Sequence, residues 1–379
     1  MARRHQPCTV FVASLALLAG ACGGGAGSSG ASSAERVPAQ IKPVAGCADR
    51  ADFALAGDPA KGPARCEPGA PAPQPLPKKA TVKIAMPSTG AEYVSAAVLA
   101  KKLGEFDKEN LDVQIVVLPS TDALPLVGEG KLDGYVASSF AAFFNAVDRG
   151  FDIRWVMGSG WLRPESKQGV WARGRNVRIS DLKGARFGSA VGMGSAVNVL
   201  INQRMKESGL SLKDMSFETV DVADSVTALQ NGSVDAAMLL DPFWVSVKDD
   251  PDYTFLAQSV RPGSDSGGVY FGPSILKRRD VAVAFTRAYI RTVNTYLAGD
   301  YKSDPDLLAK QSAALGVPQD KLDDIPSYVF NWDVPKGVSD EIQQLYLEVG
   351  DTVTYRKVIP ESKVVDRSFV AEAVGRERP

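Results

Sequence analysis

The chain has 379 residues, 45% of them hydrophobic and 23% charged, with a formal net charge of -1. That balance excludes the strongly basic surface that nucleic acids or anionic membranes attract. The single histidine is His5, so the body of the chain offers no Ser-His-Asp triad, no Cys-His dyad and no histidine-ligated zinc or iron.

Arg3 and Arg4 precede an apolar run over 9–18, followed by Ala19-Gly20-Ala21-Cys22 and three glycines. A run of about ten residues is too short for a bilayer core that needs roughly twenty, so residues 1–21 read as a secretory signal. The stretch before Cys22 resembles the lipobox of bacterial lipoproteins. That resemblance implies cleavage after residue 21 and acylation of Cys22; an ordinary signal peptide cut nearby is the alternative. At roughly 0.8 kcal/mol per buried methylene, several acyl chains would anchor the protein to the bacterial cell membrane, on its extracytoplasmic side, by lipid alone. Residues 22–79, rich in Gly, Ala, Ser and Pro, read as a tether. Within it Cys47 and Cys66 are expected to pair as a disulfide, since the setting is oxidising and no histidine is present to complete a metal site.

From residue 80 a rhythm of strand and helix begins. Strands are expected over 82–86, 113–118, 133–137 and 153–157, with helices over 92–108, 122–129 and 140–149 between them. A second set follows, with strands near 185–188, 217–222 and 236–240 and helices over 195–208 and 224–230. Short strands at 253–260 and 269–271 come next, and the chain from 278 onward reads as mostly helical. Alternation of this kind predicts an α/β protein with mostly parallel sheets covered by helices. The expected division is lobe I over 80–175, lobe II over 176–265 and a return to lobe I over 266–379, with a hinge between.

Three segments carry a family resemblance. Ile179-Ser180-Asp181-Leu182-Lys183-Gly184-Ala185-Arg186-Phe187-Gly188 resembles the start of the second lobe of type II periplasmic binding proteins. Val226 to Ala237, with Leu229, Gly232 and Asp235, resembles their A-L-x-x-G-x-V-D-A segment, and Asp241-Pro242-Phe243 stands where members often carry Glu-Pro-Tyr. Order and spacing resemble the nitrate, sulfonate, taurine and thiamine-precursor group of ABC-transporter solute-binding proteins. The resemblance implies a two-lobed monomer that captures a small-molecule solute and hands it to an ABC permease driven by an ATPase, without cofactor or catalysis. A sulfonate-, taurine- or nitrate-like anion is the first expectation. A nitrogen heterocycle such as a thiamine-precursor pyrimidine or a flavin is the alternative, and a surface sensor or a same-fold enzyme is a further one.

Ligands in open α/β sheets collect beyond the carboxyl ends of strands, where loops and helix N-termini point outward. The residues expected at those ends are Ser88, Thr89 and Gly90; Ser138 and Ser139; Ser159, Gly160 and Trp161; and Gly192, Met193, Gly194 and Ser195. Each also suits a turn or an N-cap. Asp241, ending an apolar run, is expected to accept a hydrogen bond from an amine or ring N–H of the solute, or else to cap a helix. Trp161, Phe243, Trp244, Tyr270 and Phe271 are candidates for flat pocket walls, with core packing as the alternative.

Overall fold

The structure, a computed structural model, describes residues 69–259, 265 and 267–376. The expected signal, Cys22 and the Cys47–Cys66 pair lie outside these residues.

The strands, in chain order, are β1 (Ala80–Met86), β2 (Leu111–Val117), β3 (Gly134–Ser138), β4 (Arg154–Gly158), β5 (Gly160–Trp161) and β6 (Gly169–Arg173). They continue as β7 (Arg186–Ser189), β8 (Ser216–Thr219), β9 (Ala236–Leu239), β10 (Tyr253–Gln258), β11 (Gly267–Phe271) and β12 (Val329–Phe330). One sheet has the order β2-β1-β3-β11-β4 and a second β10-β6-β9-β7-β8, while β5 and β12 pair separately. This is the two-sheet α/β architecture that the alternation implied. Parallel pairing is confined to β2-β1-β3 and to β9-β7-β8; the strands next to the crossings, β11 and β6, run antiparallel to their neighbours. The second sheet begins at β6, before residue 176, because Trp171 and its neighbours pair with β9 rather than with β4.

Strand sequence explains strand position. In β1, Val82, Ile84, Ala85 and Met86 are buried, and Pro87, which cannot donate a ladder hydrogen bond, follows the strand. The helical pattern over 92–108 is realised as a turn at Glu92–Val94, a helix at Ser95–Lys102 and a turn at Asp107–Glu109. Gly104 breaks it, at φ 73°, where a left-handed residue costs glycine least.

That break directs two carboxylates inward. Glu105 and Glu109 are fully buried against Arg287 and Arg291 of the helix Arg279–Tyr296. Arg291 donates to Glu105 Oε2 at 2.6 Å and to Glu109 Oε1 at 2.7 Å, and Arg287 to Glu109 Oε2 at 2.7 Å. Burial alone would raise the pKa of Glu105, but the Arg291 and Lys108 hydrogen bonds and charges outweigh it and hold the group below its ordinary value. The arginines also donate to the carbonyls of Pro71 (3.3 Å) and Gln74 (2.9 Å). Residues 69–79, the end of the expected tether, are therefore fastened to the body: a proline-rich strip has few donors but many free carbonyls, and the arginines need acceptors.

Between the sheets the chain runs through β5, which lies against β12. Gly160, at φ 106°, permits this approach, since a Cβ there would run into the Val329 carbonyl. The buried carboxylate of Asp265 accepts from the backbone N–H groups of Gly160 (2.9 Å), Gly267 (3.1 Å) and Ser159 (3.4 Å). Burial lifts its pKa to about 7 against the opposing pull of those donors.

Removing one partner from a buried ion pair strands the other charge, so Arg291→Met is expected to lower the unfolding free energy by about 3–5 kcal/mol in urea denaturation. Lys108→Met, at the exposed rim of the same network, should change it by less than about 1 kcal/mol.

Candidate functional site

The carboxyl ends of the two sheets face a shared cavity of about 60 Å³. Pro87, Tyr93, Ser120, Ala137, Ser138 and Phe140 line it from the first half. Gly188, Ser189, Ala190, Val191, Ser195, Val197, Val220, Val222, Ser225, Met238 and Leu240 line it from the second. The lining holds five serines and no Asp, Glu, Lys, Arg or His. Four helices begin at or directly after residues that line the cavity, Ser120–Gly128, Ala141–Asp148, Ala196–Glu207 and Ser225–Gln230. Their N-terminal ends carry the positive pole of the helix dipole.

The loops of the two halves touch beside this cavity. Ala196 N–H donates to the Ser139 carbonyl at 2.9 Å, and Phe140 and Ser195 form an isolated antiparallel bridge. Tyr346, from the helix Val338–Val349, donates its hydroxyl to the Gly194 carbonyl at 2.7 Å and lies 3.4 Å from the Ser139 carbonyl. One phenol thus reaches a loop of each half.

Of the strand-end residues expected at the site, Ser138 and Ser195 line the cavity. Ser139 lies behind it, its Oγ paired with Tyr270 OH at 2.5 Å. Tyr270 itself is fully buried and stacks on Tyr135 with ring centres 4.5 Å apart, so it belongs to the core. Gly192, Met193 and Gly194 form the turn ahead of Ser195, where the Gly192 carbonyl accepts from Ser189 Oγ and Asn198 Nδ2. Ser88 caps its own loop, accepting from Gly90 N–H at 3.0 Å, and Thr89 stands between them. Ser159, Gly160 and Trp161 sit at the crossing beside Asp265 rather than at the cavity, because their N–H groups serve that buried carboxylate and strand β12. Trp161 and Phe271 are fully buried, while Trp244 stacks on Trp171.

Asp241 differs most from expectation. It is buried at 1% exposure, and Leu240, not Asp241, faces the cavity. Its carboxylate accepts from Ser166 Oγ at 3.1 Å and from the ring N–H of Trp244, and its own N–H donates to Gln168 Oε1 at 2.8 Å. A buried carboxylate needs donors, and its own half of the protein supplies them. Burial, then the nearby Glu92 charge, raises its pKa to about 7 against the pull of Trp244, Lys302 and Ser166.

The residues that sequence reading missed are Ser120, Ser189 and Ser225 with the apolar walls around them. Ser120 was accessible by the same rule, since it opens a helix just beyond β2 and Pro119. Ser189 is the last residue of β7, one position past the expected strand end.

Two helix-covered mixed sheets with their strand ends turned to one cavity define the periplasmic binding protein fold. The profile of the NMT1/THI5-like family matches residues 92–297, more than half of the chain. The chain belongs to the NMT1/THI5-like family. No curated protein sequence matches it. Among solved structures, the alkanesulfonate-binding protein SsuA from Xanthomonas axonopodis pv. citri, bound to MOPS, is 18% identical with a TM-score of 0.57, covering 76% of this chain and 99% of its own. The periplasmic nitrate-binding protein NrtA from Synechocystis PCC 6803 is 12% identical with a TM-score of 0.61, covering 78% and 89%. The desulfurization enzyme DSZB is 12% identical with a TM-score of 0.51, covering 79% and 100%.

If the Tyr346 hydroxyl joins the two loops, Tyr346→Phe should lower stability by about 0.5–1.5 kcal/mol, the net worth of one hydrogen bond, since the Ser139 carbonyl keeps the Ala196 N–H. The Ala196 amide should exchange with deuterium faster in the variant; wild-type exchange there would show that the phenol does not hold the loops together.

Proposed function

We propose that this protein is the extracytoplasmic solute-binding component of an ABC importer, capturing a small anion between its halves and delivering it to a permease. The observation that carries this reading is the cavity itself: both halves contribute hydroxyls to it, four helices begin at its lining, and no charged side chain lines it. Hydroxyls and helix dipoles hold an oxyanion without a full countercharge. Ser138 and Ser120 from one half and Ser195 from the other are the proposed contacts, because the Ser189 and Ser225 hydroxyls donate to the carbonyls of Gly192 and Val222. The relatives named as sulfonate- and nitrate-binding proteins support this class of solute.

A cavity of about 60 Å³ has room for a few water-sized groups only. A sulfonate therefore enters by parting the halves, at the crossing near Gly160 and Asp265, in a hinge motion. Tyr93, Phe140, Met238 and Leu240 give the cavity apolar walls as well, which favours a second reading in which the solute carries a flat or apolar group, such as a heterocycle. Capture rather than catalysis is the role that the names of the SsuA and NrtA relatives support, while DSZB, of similar fold, is named an enzyme. Among the described residues no helix is long and apolar enough to cross a membrane, and the proposed attachment is the acylated Cys22.

The solute is to be found by a thermal-shift screen of taurine, alkanesulfonates, nitrate, pyrimidines and flavins, followed by calorimetry. For the compound that binds, Ser138→Ala combined with Ser195→Ala is expected to weaken affinity at least about tenfold, as loss of hydrogen bonds to a charged group does. Unchanged affinity would move the solute out of this cavity. Cys22→Ala is expected to release the protein into the soluble fraction or to block its maturation; full retention in the membrane fraction would overturn the anchor.

A further inference from the structure

Glu92, Asp241 and Lys302 form a buried charge cluster that the cavity does not use. Glu92 opens the turn after β1 in the first half, Asp241 follows β9 in the second, and Lys302 lies in the turn Tyr301–Ser303. Lys302 Nζ is 2.7 Å from Glu92 Oε1, and Glu92 N–H donates to the Asp241 carbonyl at 3.0 Å. Tyr301 donates to the same Glu92 oxygen, and Gln311 Nε2 stands 3.5 Å from it. Glu92 Oε2, by contrast, is buried with no hydrogen-bond partner. The groups that face Asp241 are Glu92, Lys302, the Tyr328 phenol, Trp244 and Ser166. Glu92 and Asp241 thus meet across the halves through their backbones, and the one ammonium near them is paired with Glu92, where the Arg287–Arg291 network has an arginine for each glutamate.

We propose that bringing the two halves together takes up a proton at the Glu92–Asp241–Lys302 cluster, so that closure strengthens as the medium acidifies. A surplus negative charge has no solvent to hold it once the halves meet, and a proton removes it. Lys302, a member of the cluster, and Trp244, which donates to Asp241, also line an open polar groove of about 560 Å³. When the halves part, the contact of Glu92 with Asp241 is broken and water reaches the carboxyl, which returns to the ordinary carboxylate range near 4. In the closed arrangement the Asp241 pKa stands at about 7, first through burial and then through Glu92. A value raised by closure means that the closed form binds the proton more tightly. The gain is absent above about pH 7, grows by up to about tenfold in the closure equilibrium per pH unit below it, and levels off near pH 4.

The test is the radius of gyration of the full, solute-free chain, measured by small-angle X-ray scattering from pH 5.5 to 8.5. It needs no solute, so its outcome is independent of which solute, if any, the cavity binds. The wild type is expected to contract as pH falls through about 7, while Asp241→Asn stays compact at every pH. Glu92→Gln, which leaves one carboxylate for Lys302, should likewise lose the expansion at high pH; circular dichroism identifies which variants fold. A wild-type radius that is the same at both ends of the range overturns the proposal. So does a folded Asp241→Asn or Glu92→Gln variant that contracts with the wild-type midpoint.

Discussion

The carboxylate of Asp265 stands where the structure is most constrained. A chain that serves two sheets must pass between them through buried backbone that belongs to neither ladder, and every N–H there still needs an acceptor. Asp265 supplies one to Ser159, Gly160 and Gly267 together, and so fixes the end of β4, the start of β5 and the start of β11 relative to one another. Strand β11, placed in this way, lies between β3 and β4 and completes the first sheet. The position of Ser138 at the cavity follows, because it ends β3 and pairs with Gly267.

Buried charge is treated in two ways in this molecule. In the Arg287–Arg291 network each carboxylate has a guanidinium, and the planar forks also reach backbone carbonyls, so that few acceptors are left over. Around Lys302 one ammonium serves Glu92 while Asp241 relies on a hydroxyl and a ring N–H. The first arrangement lies within one half and suits permanence. The second spans both halves and is satisfied only in part, as suits a contact that forms and breaks.

Periodicity made the sheets legible, because alternation of short apolar runs with helical stretches is set by local burial and survives in the sequence. Boundaries were less so: Gly104 splits a helical pattern that has no other interruption, and β6 joins the second sheet through pairing with residues more than sixty positions away. The site was half legible. Ser138 and Ser195 follow from strand ends alone. Asp241 and the Ser159–Trp161 loop were misplaced because local sequence shows where a side chain emerges from a strand, but not which donor or carboxylate waits for it. Ser166 and Asp265, which decide these cases, lie far off in the chain, and Trp244, three residues from Asp241, carries no local sign of which carboxylate its ring N–H serves. Tyr346 had no signal at all, since one tyrosine on an amphipathic helix reads as core.

The fastening of residues 69–79 also fixes how the body carries load. A pull applied through the chain before Gly69 runs first into Asn294, whose side chain donates to the Gly69 carbonyl, then into Arg291 at Pro71 and Arg287 at Gln74. All three belong to one helix of the first half, and β1 begins only a few residues later. A pull on this strip is thus met by a single helix before it reaches any strand. With the proposed anchor at Cys22 and the proposed hinge motion, this half would be the moored part of the molecule and the other the part that swings.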